Sequence, residues 1–156
     1  MNTYKITFSN QKGSDFIKEL RKVVKVYFEE SNKSKFGNAN MIVKTIFMFS
    51  IYLIPYFLMI TGIITHPAFL FFLWIIMGFG MAGIELSVMH DANHRSYSKN
   101  QRINKILSYS LNLLGGFSYT WQYQHNTLHH GFTNIDGYDE DIDPGKILRF
   151  SPYKPL

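Results

Sequence analysis

Residues 45–84 of this 156-residue chain carry no charged side chain, and no other feature restricts its folding as much. So long an uncharged run exceeds what a helix in a soluble core requires, whereas about 20 apolar residues suffice to cross a bilayer. The run divides into two spans, Thr45–Ile64 and Ala68–Met89, separated by Thr65, His66 and Pro67. At about 1.5 Å of rise per residue, each reaches roughly the 30 Å thickness of the hydrocarbon layer. The pattern predicts an all-α membrane protein built on a tight transmembrane helical hairpin. The mean hydropathy of -0.07 conceals this because it averages an apolar block with a basic, polar remainder.

The charges are placed as a membrane hairpin requires. Lys5, Lys12, Lys18, Arg21, Lys22, Lys25, Lys33 and Lys35 precede the first span, Arg95, Lys99, Arg102 and Lys105 follow the second, and the intervening turn has none. The positive-inside rule then puts both outer ends of the hairpin in the cytoplasm. The net charge of +5 reads as membrane-surface anchoring rather than nucleic-acid binding, since the basic residues flank the apolar block and no nucleic-acid motif is present. The absence of cysteine excludes disulfides, cysteine-ligated zinc and iron–sulfur clusters, and fits a reducing compartment. The first 40 residues lack the apolar core of a cleavable signal peptide.

Two segments read as interfacial. Ser14 is placed to cap a helix over 15–30, with Phe16, Ile17, Leu20, Val23, Val24 and Tyr27 along one side and Lys18, Arg21, Lys22 and Lys25 on the remainder. Such a helix suits an anionic leaflet, or equally a soluble neighbour. Ile103, Ile106, Leu107, Leu111 and Leu114 repeat the spacing, but Asn104, Lys105 and Asn112 interrupt the run, which is assigned to the membrane surface and is broken by Gly115-Gly116. The organisation is thus a basic amphipathic segment, residues 1–40, and a membrane domain from 41 to 156.

Chemistry is concentrated in two histidine clusters, His90-Asp91-Ala92-Asn93-His94 and His125-Asn126-Thr127-Leu128-His129-His130, both just beyond apolar segments. His90 and His94 would lie about 40° apart around an ideal helix and one turn along it, close enough to share a ligand volume; His125 and His129 repeat this spacing. His130 would sit about 100° from His129, so either the helix ends there or His130 serves a second metal. Nitrogen ligation suits iron, copper, nickel and zinc alike, and five imidazoles exceed the needs of one tetrahedral zinc.

Other residues have plainer readings. His66, alone beside a proline, reads as a surface residue on the opposite side of the membrane from the clusters. Glu85, one turn inside the second span, is either functional or close enough to the interface to find water. Gly78 and Ala82 form a small-xxx-small pair of the kind used in helix packing. The acids Asp136, Asp139, Glu140, Asp141 and Asp143 form either a solvated loop or, being close to His130, a source of carboxylates that orient ligand histidines.

His90-Asp91-x-x-His94, then Trp121 with His125-Asn126-x-x-His129-His130, Thr133-Asn134 and Asp139-x-Asp141, resemble the membrane fatty acid desaturases, most closely bacterial acyl desaturases of the linoleoyl-CoA, front-end type. The resemblance covers nearly the whole chain. It implies that His90, His94, His125, His129 and His130 ligate a pair of iron ions on the cytosolic side, with no catalytic residue beyond the ligands; Asp91, Asn126, Asp139 and Asp141 are the candidates for residues that support them. It also implies a fatty acyl substrate, carried as acyl-CoA or acyl-lipid, into which one O2 and two electrons introduce a double bond with release of two waters. Members of that family have four spans and a third box, HxxHH or QxxHH. Leu156 is reached without either, so the chain reads as the N-terminal part of such an enzyme, inactive by itself. No cytochrome b5 domain precedes the first span, and a separate electron donor, ferredoxin or cytochrome b5, is implied. A related di-iron hydroxylase, an inactive remnant and a non-enzymatic membrane metal-binding protein are the alternatives; the last would be expected to place its ligands deep within the spans.

Overall fold

Gly13 turns the chain with φ 104, and the first helix, α1 (Ser14–Glu30), follows directly. The computed structural model describes residues 6–8 and 13–142. Lys5, Lys12 and Asp143 of the charge pattern lie outside the described residues. The chain divides into two units, residues 1–35 and 36–156, each taken by itself. In the first, α1 begins one residue earlier than expected, so Ser14 is its first residue and Gly13 occupies the capping position. Phe16, Ile17, Leu20, Val23, Val24 and Tyr27 are all exposed.

Every secondary-structure element among the described residues of the second unit is helical. Asn38 starts α2 (Ala39–Ile60) by accepting the Met41 N–H on its side chain at 3.1 Å, a regular N-cap. The span expected from Thr45 therefore begins earlier and ends at Ile60 rather than Ile64. Lys44 lies within the helix, where a long stem can carry its ammonium toward the polar end. Thr61 and Gly62 (φ 68) end it, and Pro67 opens the next helix at the position where a missing N–H is harmless. That helix, α3 (Pro67–Asn93), does not stop at Met89 as expected. It runs on through the first histidine cluster, with a π-helical stretch at Ile84–Met89. Both α2 and α3 are long and apolar enough to cross a membrane.

The two long helices pack antiparallel, through residues other than those anticipated. Gly80 lies against Tyr52, where an added Cβ would come within 2.7 Å of the Tyr52 backbone nitrogen, and Gly83 lies against Met48. A Cβ on Gly78 would meet nothing within 4 Å, and Ala82 is exposed, so the Gly78/Ala82 pair does not make this contact. Tyr52, Met77 and Ile84 form one buried cluster; Val88, Ala92 and Tyr97 form another nearer the histidines. Tyr97 is tied to α2 by a 2.7 Å hydrogen bond between its hydroxyl and that of Thr45. Phe71, Phe72, Trp74, Phe79 and Leu86 point outward. An apolar exterior over a small-residue contact suits hydrocarbon, where close backbone approach replaces the hydrophobic drive.

Beyond the turn at Arg95 come α4 (Gln101–Ser108) and α5 (Ser110–Leu113), then the break at Gly115, with φ 95, and Gly116. Asn104 does not merely interrupt an apolar face. It is buried, and its amide closes a reciprocal pair with the Ser98 backbone, both contacts at 2.8 Å. Ser108 is buried too, while Ile103 and Ile106 are exposed. The side of this segment that faces protein is mixed, Asn104 and Ser108 beside Leu107 and Leu111, while Ile103 and Ile106 face out with Arg102 and Lys105. Finally α6 (Ser118–Gln122) runs into a second π-helical stretch, Tyr123–His129, and a 3-10 turn, Glu140–Ile142.

Candidate metal centre

Both histidine clusters are preceded or carried by π-helical backbone, and this corrects the helical-wheel geometry. The His90 N–H bonds to the Glu85 carbonyl and the His130 N–H to that of His125, each five residues back. Such a helix has more residues per turn than an α-helix, so residues four and five ahead straddle the first instead of diverging around the axis. His129 and His130 consequently both return to His125, with ring centroids 5.0 and 4.9 Å away. His130 thus stays beside His125, and the helix ends one residue later, at Gly131.

The five rings form one patch. His90 and His94 are 4.6 Å apart between centroids, each lies 5.1 Å from His125, and His94 lies 4.9 Å from His130. Ligand nitrogens of His90, His94 and His125 fall within 4.8 Å of one another. Trp121 stacks on His125 at 4.3 Å and 22°, and stands edge-on to His90. His66 is at the far end of α3, roughly 35 Å of helix away. Glu85 sits in the π-helical stretch with its side chain exposed.

Two carboxylates meet the rings from the acidic loop. Asp139 is buried and lies with Oδ1 2.9 Å from His129 Nδ1, while Asp141 Oδ2 is 3.2 Å from His125 Nδ1 and 3.3 Å from His129 Nδ1. Burial alone would raise the Asp139 pKa. The N–H of Asn134, the His129 ring and the N–H of Asp141 outweigh it and hold the carboxyl below its usual range. Glu140 accepts from the Gln124 amide at 2.6 Å and ties the loop to the second cluster. Asp91 is placed less closely, 3.5 Å from His90 Nδ1, and its carbonyl accepts from Ser96 and Tyr97.

Electrostatics favour neutral rings. Burial, then the neighbouring His90, His125 and His130, lower the His94 pKa to about 4; burial also lowers that of His125, partly opposed by Asp141. Neutral imidazole is the form that offers a lone pair to a metal. With Nδ1 of His125 and His129 facing carboxylates, Nε2 of each is free to serve as a ligand.

A polar hub beneath the clusters was not legible in the sequence. Asn93 is buried, and its Oδ1 accepts from Gln122 at 2.8 Å and Ser118 at 3.2 Å, while its carbonyl accepts from Asn126 Nδ2 at 3.2 Å. These bonds join the helix carrying His90 to the one carrying His125. An amide inside a histidine box has no spacing signature, so only the folded chain shows that it joins the two segments.

Residues 65–155 match the fatty acid desaturase family model. The chain is 34% identical to the sn-1 linoleoyl-lipid 6-desaturase of Arthrospira platensis, covering 96% of this chain and 40% of that one. It is 35% identical to the acyl-lipid (8-3)-desaturase of Physcomitrium patens, over 88% of this chain and 28% of the relative, and 31% identical to the sn-1 linoleoyl-lipid 6-desaturase of Synechocystis sp., over 95% and 40%. The chain thus spans two-fifths or less of the length of these relatives. No solved structure matches it.

Proposed function

Because the chain belongs to the fatty acid desaturase family, we propose that its histidine patch holds two iron ions and serves the O2-dependent introduction of a double bond into a fatty acyl chain. The observation carrying this reading is the convergence of His90, His94, His125, His129 and His130 from two separate segments, with Asp139 and Asp141 on the Nδ1 atoms of two of them. The donor set fits the group: imidazole nitrogens with carboxylates behind them suit iron. Asn126 Oδ1 is buried without a hydrogen-bond partner among the described residues.

Iron bound here would supply the oxygen chemistry that an unactivated methylene demands, since such a carbon has neither an acidic proton nor a leaving group. The residues do the positioning. Asp139 fixes the ring of His129, Asp141 bridges His125 and His129, Asn93 locks the two clusters together, and Trp121 walls one side. Asp91, more distant from His90, and Asn126 complete the supporting set. The substrate is an acyl chain on a CoA or lipid carrier, the relatives' names pointing to lipid. Each methylene prefers the apolar phase by about 0.8 kcal/mol, which accounts for chemistry at a membrane edge. Helices α2 and α3 form a transmembrane hairpin in a multi-pass protein, with the N-terminus and both clusters in the cytoplasm, α1 and α4 at the interface, and electrons from a separate carrier such as ferredoxin or cytochrome b5.

The test is metal content and product. Single alanine substitutions at the five histidines should each reduce bound iron and abolish new double bonds in the full-length enzyme, leaving membrane insertion intact, with His66→Ala unchanged. Retention of iron and activity by two or more of the five would overturn the ligand set, and an alcohol product would make the protein a hydroxylase.

A further inference from the structure

Arg95 occupies a backbone position that glycine would fill more cheaply. Its N–H bonds to the Ala92 carbonyl at 2.9 Å and the next N–H, of Ser96, reaches back to Asp91 at 2.9 Å, the bonding of a Schellman helix end. The residue at that point takes the left-handed conformation, φ 58 here, which side chains with a Cβ resist. The other non-glycine residues with positive φ among those described, Asn32 and Asn134, are of the type that tolerates it. A strained position filled by a long cation points to a use for the side chain.

That use is visible beside it. Arg95 and Lys105 line an open cavity of about 480 Å³ whose floor includes Asn93, Asn104, Ser108 and Ser118, all buried. No acidic side chain lines it, and neither cation has a carboxylate partner among the described residues. Asn93, between His90 and His94 in sequence, makes the cavity a direct neighbour of the histidine patch. The floor side chains spend their donors on the protein itself, Asn93 on Met89, Asn104 on Ser98, Ser108 on Lys105 and Ser118 on Asn93. The two unneutralised cations are therefore what the cavity offers, and they match a phosphate group, which accepts charge-assisted hydrogen bonds.

We infer that this cavity binds the phosphate of the acyl carrier, whether a lipid phosphate or the phosphates of an acyl thioester, and so presents the chain to the histidines. The inference rests on the acyl-substrate reading above and names the chemistry that anchors its polar end. The cavity size is within the usual range for small-molecule sites.

The experiment is direct binding to the purified chain in uncharged detergent, with palmitoyl-CoA, palmitoyl lysophosphatidic acid and uncharged palmitoylglycerol as probes. At least one phosphate-bearing probe should bind about tenfold more tightly than palmitoylglycerol, and which one does identifies the carrier. Lys105→Gln and Arg95→Gly should each remove most of that preference, the glycine variant keeping the helix end intact. Arg102→Gln, which removes a charge from the same helix outside the cavity, should not. Equal binding of all three probes, a preference surviving in the Arg95→Gly/Lys105→Gln double variant, or an equal loss in Arg102→Gln would overturn the site. So would loss of bound iron in Arg95→Gly, which would make the residue a support of the metal centre. A chain that binds no iron yet keeps the phosphate preference would refute the di-iron reading and leave this site standing.

Discussion

The carboxylate of Asp139 lies 2.9 Å from Nδ1 of His129 with no side-chain surface exposed to solvent. Its two oxygens accept from three donors, the His129 ring and the N–H groups of Asp141 and Asn134. It therefore orders both the His129 ring and the loop that brings Asp141 to His125.

Asp139→Asn should weaken iron binding by about 10- to 100-fold, the usual effect of losing an outer-shell partner. An amide supplies one oxygen where two are used, and its NH2 would face an N–H. Iron titration of the variant checks this; wild-type affinity would reduce Asp139 to a loop residue.

Acid should destabilise the metal-free protein between pH 6.5 and about 4. The unfolded His94 takes a proton near 6.5, while the folded ring resists until about 4. Between those values the unfolded state holds more protons, so stability rises with pH and is lost as pH falls. His125, also lowered, adds in the same direction. Melting curves from pH 7 to 4.5 should show the decline, and His94→Gln should flatten part of it; an unchanged slope would refute the assignment.

Gly80→Ala should destabilise the α2–α3 contact by about 1–3 kcal/mol, because the new methyl meets backbone at Tyr52 rather than a side chain able to move. Gly78→Ala, open on all sides here, should be neutral or mildly stabilising. Denaturant titration in detergent compares the two. Equal effects would mean that the helices do not meet at Gly80.

Membrane orientation is testable by labelling, the chain having no native cysteine. His66→Cys should react with an impermeant thiol reagent from outside intact cells, and Lys33→Cys and Lys99→Cys only after lysis. Labelling of all three from outside would end the two-span arrangement.

An all-helical build with two long apolar helices was legible in the sequence because the information is one-dimensional. Charge is absent over residues 45–84, and the histidines are spaced for a shared site. The ends of the helices were less legible, since Asn38 caps α2 ahead of Lys44 and no breaker separates Met89 from His90. The burial of Asn104 was hidden by the expectation that polar residues face outward, which fails where the backbone of another segment, here Ser98, supplies the partners that satisfy the amide.

What the tertiary structure decided is who meets whom. That His130 turns toward His94 depends on i+5 bonding, which residue spacing does not encode. That Gly80 and not Gly78 touches α2, that Asp139 rather than a neighbouring acid is the buried one, and that Arg95 and Lys105 share a cavity all follow from how helices rotate against each other. The composition of a segment sets the phase it prefers, but the rotation of one helix on another is fixed by contacts between residues far apart in the chain.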